Sequence, residues 1–163
     1  MPCGLSCRER RWLLYAEGIT KTAEQAVMEV IRVANDPDDQ GGYFFFASLS
    51  IGDEIPPVKF GKIPDGFDEE FSGYAKEKVY RAYQNQDLSS WQSRDVERSM
   101  FGGAVIGEDD IKRKFGFGFS GLKEHRDEAA MLLTATRSNM MTAQRAREIA
   151  LMSDNQFYLE NWG

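Results

Sequence analysis

The first part of the chain contains two different patterns of hydrophobic positions. Between residues 19 and 34, apolar residues recur at spacings of three and one, which predicts an amphipathic helix. Turn-forming residues interrupt this pattern from Asn35 to Gly42. The following run, Tyr43–Leu49, is continuously apolar rather than alternating, which is typical of a strand buried on both faces. A turn at Gly52 and Asp53 then predicts a partner strand over residues 58–61.

The rest of the chain repeats this alternation of helix and paired strands. We predict a helix over 68–83, a polar loop with a helical turn over 85–99, and helices over 122–137 and 142–152. Two more strands are predicted, at 101–106 and 112–119. Because successive strands are joined as hairpins, the sheet should be largely antiparallel. The prediction is an α+β protein with a single, mostly antiparallel sheet flanked by helices, as one domain over residues 19–163 after an N-terminal tail of residues 1–18.

Composition and charge exclude several classes of function. With 163 residues, one domain is the natural number. The net charge of −6 repels phosphate backbones, so we expect no nucleic-acid partner. The apolar runs are far shorter than the roughly 20 residues that a membrane span requires, so no membrane partner is expected. The N-terminal residues lack the apolar core of a secretory signal, and we therefore expect a cytoplasmic protein.

Metal-ligand residues are sparse. Cys3 and Cys7 are the two cysteines, and His125 is the single histidine. A structural zinc site requires about four ligands, so the two thiols do not predict one. We interpret them as an incidental or reactive pair in the tail.

Glycines are concentrated in the last two predicted strands, where their lack of a side chain would let a ligand approach the backbone. Residues 116–121 match the pattern G-x-G-x-x-G, but no convincing strand follows, whereas a dinucleotide-binding fingerprint opens a βαβ unit. Glycines inside strands permit close approach by a ligand or by other backbone. If the last two predicted strands pair, Gly102, Gly103 and Gly118 would form a bare patch of sheet. A flat ligand could cover it, and so could the protein's own helix; the sequence favours neither.

A helix begins after this patch and adds polar groups. Ser120 and Gly121 form its entry, where backbone N–H groups can hold an anion. His125 lies one turn further on and is the candidate ligand for a metal or a haem iron. The other interpretation of His125 is an ordinary surface residue.

Taken in order, these segments resemble the small haem-binding, GlcG-like family, which also supplies the C-terminal domain of PduO-type corrinoid adenosyltransferases. The resemblance rests on four segments of residues 19–137 besides the first helix. They are the apolar strand 43–49, the helix pattern 75–82, the strand Phe101-Gly102-Gly103-Ala104-Val105, and the turn Gly118-Phe119-Ser120-Gly121 with Asp127-Glu128. Residues 50–54 depart from the usual family pattern, and residues 138–163 are additional.

The resemblance implies a profilin-like, five-stranded antiparallel sheet, assembly into oligomers and, in some members, binding of haem or a corrinoid. Our leading hypothesis is a homo-oligomeric protein that binds a small flat ligand, with haem or a related tetrapyrrole as the class expected. Its predicted ligand-binding residues are Gly102, Gly103, Gly118, Ser120, Gly121 and His125, with His125 as the metal ligand. The alternatives are an interaction or assembly module without catalytic activity and an accessory enzyme for a small organic acid.

Overall fold

The computed structural model describes residues 4–163, so Cys3 lies outside the described part of the chain. Helix α1 spans Cys7–Ala34 and therefore begins well before Ile19, where the sequence pattern placed its start. Residues 7–18 are thus helical rather than part of a tail. Ser6 fixes this start: its hydroxyl accepts the N–H of Glu9 at 3.2 Å, and its own N–H donates to the Glu9 carboxylate at 2.6 Å. Within residues 4–163, no helix combines the length and apolarity needed to cross a membrane.

Five strands form one open antiparallel sheet, which confirms the predicted fold class. The order is β2-β1-β5-β4, and β3 pairs with another part of the β1 edge that β2 occupies. All pairings are antiparallel. The strands are β1 (Gly41–Ser48), β2 (Asp53–Glu54), β3 (Val58–Gly61), β4 (Ala104–Glu108) and β5 (Lys114–Ser120).

Strand β1 is covered on both faces, as its continuous apolar sequence predicted. Phe44 and Phe46 belong to the larger core, which α1 and the C-terminal helices complete. Phe45 and Ala47 point to the other face and pack in a smaller cluster with helix α2, Asp68–Gln84. The single sheet therefore separates two cores.

The polar segment after α2 is held by one arginine. Arg81, which is 8% exposed, donates to the carbonyl oxygens of Ser90 at 2.9 Å and Phe101 at 2.6 Å. Two short 3₁₀ turns, Ser90–Ser93 and Val96–Arg98, lie in this segment. Strand β4 begins at Ala104 rather than at residue 101, although the carbonyl oxygen of Gly103 still accepts the N–H of Phe119 at 3.0 Å.

Three helices complete the fold: α3 (Glu124–Arg137), α4 (Ala143–Met152) and α5 (Gln156–Asn161). The last was not predicted. The sequence places Ala146, Ile149, Ala150 and Met152 on one side of α4, which predicts an apolar surface that a monomer would leave exposed. For most of that side the prediction is wrong. Ala146, Ile149 and Ala150 are fully buried in the main core, and only Met152 remains exposed, at 47%.

Candidate functional site

A cleft of about 420 Å³ opens between α2 and the turn that leads from β5 into α3. One wall is aromatic: Tyr74 and Phe101 meet edge to face with ring centroids 5.2 Å apart, and Phe71 lies beside them. This volume falls within the usual range for small-molecule sites. We call it the Lys78 cleft, and it is lined by Glu70, Phe71, Tyr74, Lys78, Phe101, Ser120, Gly121, Leu122, Lys123, Glu124 and Asp127.

A buried ion pair lies at the cleft. The Lys78 ammonium is 3.1 Å from a carboxylate oxygen of Asp127, and each side chain is only 2% exposed. Lys78 also donates to the carbonyl oxygen of Phe119 at 2.8 Å, while the N–H of Leu122 donates to Asp127 at 2.9 Å. Such a pair requires these additional hydrogen bonds, because removing two charges from water is costly.

Burial dominates the titration of Asp127. It raises the pKa of this carboxyl to about 7, although the nearby Lys78 charge and the Leu122 N–H both act to lower that pKa. Asp127 is therefore harder to ionise than an ordinary carboxyl, and it lies beside a site that a small molecule can enter.

At the rim of the cleft, the charges are largely paired. Burial acts to raise the pKa of Glu124, but its ion pair with Arg94 at 2.8 Å and the N–H of Gly102 leave that pKa below its ordinary value. Lys123 extends to Asp36, outside the cleft lining, at 2.6 Å, and its side chain is 60% exposed.

Of the predicted site residues, Ser120 and Gly121 lie in the cleft lining. Gly103 lies next to its buried pair, where an added Cβ would be 2.7 Å from the Asp127 Cβ and 2.9 Å from the Lys78 Nζ. Its φ of +120° is also one that side chains rarely adopt. Gly103 therefore makes room for the Lys78–Asp127 pair.

The predicted bare glycine patch is covered by the protein itself. A Cβ at Gly118 would collide with the carbonyl oxygen of Ala75 on α2, and one at Gly102 would lie 2.5 Å from the ring of Trp91. These glycines serve close internal packing, the alternative that the sequence left open. They do not form a platform for a flat ligand, because no free face remains there.

His125 lies outside the cleft lining. Its ring stacks on Trp91 with centroids 4.1 Å apart, and its Nε2 donates to the carbonyl oxygen of Ser153 at 2.9 Å. One turn later, Glu128 accepts hydrogen bonds from Ser89, Ser153 and Asn155. Both residues therefore tie the C-terminal segment to α3. Across residues 4–163, no group of three metal-ligating side chains comes together.

Sequence reasoning missed Lys78, although a pattern could have revealed it. Ala75, Lys78, Val79 and Ala82 follow the spacing of the buried face of α2. A lysine on such a face must bury its charge, and a buried charge requires a partner. The partner, Asp127, is distant in sequence, so only the fold identifies it.

Comparison with known proteins finds a solved structure with a similar fold but shows no family. The crystal structure of a PduOC complex with haem has a TM-score of 0.56, with 15% identity, over 86% of this chain and 99% of the other. No protein-family model matches the sequence. The curated proteins contain no significant match. The chain therefore shares its fold with a PduOC structure.

Proposed function

We propose that this protein binds a small flat ligand in the Lys78 cleft, with haem or a related tetrapyrrole as the ligand class. The observation that carries the proposal is a cleft with an aromatic wall and a buried, partnered lysine. Stacking and dispersion contacts with Tyr74, Phe101 and Phe71 would hold the apolar body of the ligand. The fold shared with a protein that forms a haem complex supports the choice of ligand class.

The cleft residues are compatible with haem at both its apolar and its acidic parts. Lys123 would have to exchange its ion pair with Asp36 for one with a propionate, and the Arg94 ion pair reduces repulsion from Glu124. Of the side-chain types that ligate haem iron, the cleft lining contains one tyrosine, Tyr74. Haem would supply an iron centre able to bind a further ligand or an electron.

The two candidate iron ligands differ in the interactions that each would lose on binding iron. The Tyr74 hydroxyl donates to Glu70 at 3.1 Å on the exposed side of α2, and breaking this bond costs little. His125 would have to leave both Trp91 and the Ser153 carbonyl before its Nε2 could bind a metal. We therefore favour Tyr74 over His125, the ligand that the sequence suggested.

Haemin titration followed by absorption tests the proposal. We expect a saturable Soret change in the wild-type protein that is altered in Tyr74→Phe and weakened in Lys123→Gln. His125→Ala should retain the wild-type spectrum. A wild-type protein that gives no saturable change would refute haem as the ligand. If His125→Ala abolishes the Soret change and Tyr74→Phe preserves it, His125 rather than Tyr74 is the iron ligand.

We also propose that the protein is a homo-oligomer. On α1, Leu13 and Leu14 are 48% and 70% exposed, and an apolar surface of this kind favours association. Light scattering at micromolar concentration should give a mass of at least twice the 18.5 kDa of one chain. A mass near 18.5 kDa would contradict this.

A further inference from the structure

A second cavity, of about 220 Å³, lies between the first turns of α1 and the sheet. It shares no lining residue with the Lys78 cleft. Its volume is below that of drug-sized sites, so it suits a smaller molecule. We call it the arginine pocket, and it is lined by Arg8, Arg11, Trp12, Tyr15, Ser48, Ile51, Asp53, Arg113 and Phe115.

Helical spacing creates one side of this pocket. Residues 8, 11, 12 and 15 are separated by three, one and three positions, so they share one face of α1. The opposite side is the end of the sheet, where β5 follows Arg113. The part of α1 that builds the pocket is the part that the sequence pattern assigned to a tail.

Three aromatic residues line the pocket, Trp12, Tyr15 and Phe115, and they pack around the buried ring of Phe46. Trp12 stacks on Phe46 with centroids 5.5 Å apart, and Phe46 stacks on Phe115 at 5.7 Å with an interplanar angle of 3°. Tyr15 lies 6.0 Å from Phe115 in a tilted arrangement. A flat ring is the ligand shape that gains the most contact with such aromatic side chains.

The pocket carries one excess positive charge in a protein whose net charge is −6. Arg8 pairs with Asp53 at 3.2 Å, and Arg113 pairs with Asp109 at 2.7 Å. Arg11 has no ion pair or side-chain hydrogen bond within residues 4–163. One uncompensated guanidinium neutralises a carboxylate, whereas a phosphate dianion would keep one unpaired negative charge beside Asp53.

A buried hydroxyl provides a second, independent indication of a ligand. The Oγ of Ser48 is buried without a hydrogen-bond partner among the described residues, and the residue is 2% exposed. Strand alternation places this side chain on the same face as Phe46, toward α1 and the pocket. A buried polar atom without a partner is costly, and a ligand oxygen would satisfy it.

We propose that the arginine pocket binds a small aromatic monocarboxylate. The ring lies against Trp12 and Phe115, the carboxylate pairs with Arg11, and the hydroxyl of Ser48 donates to a carboxylate oxygen. Among residues 4–163, Arg11 and the Ser48 hydroxyl have no other partner, and Trp12 is partly exposed.

Calorimetric titration with benzoate tests this, with inorganic phosphate as the comparison ligand. We expect saturable benzoate binding that Arg11→Gln weakens at least about tenfold, because a charge-assisted bond is lost. Ser48→Ala should weaken it by a smaller factor and without loss of folding. Arg10→Gln is the matched control: it removes the same charge from the same helix at an exposed residue outside the pocket.

Three results would overturn the proposal: no benzoate heat in the wild-type protein, equal losses in Arg10→Gln and Arg11→Gln, or phosphate binding as tightly as benzoate. Tyr74→Phe should leave benzoate binding unchanged. The proposal for the arginine pocket is therefore tested separately from the proposal for the Lys78 cleft.

Discussion

Replacing Lys78 should lower the free energy of unfolding, because the buried carboxyl group of Asp127 then loses its ion-pair partner. In Lys78→Met, Asp127 keeps only the N–H of Leu122 as a hydrogen-bond donor, and the Phe119 carbonyl loses a donor. The penalty reaches about 3–5 kcal/mol at a pH where Asp127 is ionised in the variant, because its charge is then buried without a partner. For a chain of this length, that corresponds to a fall in melting temperature of roughly 10 °C.

The pH dependence separates this mechanism from simple loss of packing. Burial raises the folded-state pKa of Asp127 to about 7 from its ordinary 3.8, so the contribution of this group to stability is full below pH 3.8 and is lost as the pH rises through 7. In the wild-type protein this loss is complete above that pH. Without Lys78 the pKa of Asp127 rises further, so the variant continues to lose free energy of unfolding at pH values above 7. The stability difference between variant and wild type should therefore grow as the pH rises above 7, by at most about 1.4 kcal/mol per pH unit.

Urea unfolding followed by circular dichroism between pH 6 and 9 measures this difference. Lys76→Met is the matched control, because Lys76 is on the same helix and forms an exposed ion pair with Glu54 at 2.9 Å. We expect the control to cost less than about 1 kcal/mol at every pH. A Lys78→Met penalty that is constant from pH 6 to 9, or equal to that of the control, would refute the reasoning.

Further predictions concern the packing of backbone. Gly118→Val should destabilise by several kcal/mol or prevent folding, because α2 fills the space that its side chain needs, and Gly103→Val should do the same beside Asp127. Gly73→Ala on α2, where nothing lies within 4 Å of the added Cβ, should instead stabilise by about 0.5–1 kcal/mol in thermal unfolding. If both valine variants melt like the wild type, the close-packing argument is wrong. Ser6→Ala should cost about 1 kcal/mol by removing the cap of α1, and an unchanged melting temperature would contradict that cap.

Local hydrophobic pattern was enough to predict four of the five strands and the positions of α2, α3 and α4, but it predicted a turn where β2 begins and gave no sign of α5. The continuous apolar run 43–49 indicated a strand buried on both faces, and β1 has that environment. The hairpin order of strands indicated an antiparallel sheet, which the pairings confirm. These features depend on residues close in sequence, so the sequence displays them directly.

The candidate site depended on contacts that are distant in sequence. Lys78 and Asp127 are 49 positions apart. Each lies in a segment that carries the family resemblance, but nothing in either segment shows that the two side chains pair. The glycines suggested an open surface because a strand pattern does not show which helix covers it. The start of α1 was missed because its capping pair, Ser6 and Glu9, precedes the region where the apolar periodicity is strong.

The most direct test of the proposed function is an amide NMR titration with protoporphyrin IX, which is diamagnetic without iron. The Lys78 cleft predicts that the largest shift changes occur at Phe101 and over residues 120–124, with saturation at a single site. Changes centred on Trp91, His125 and Ser153, or no saturable changes at all, would contradict ligand binding in this cleft.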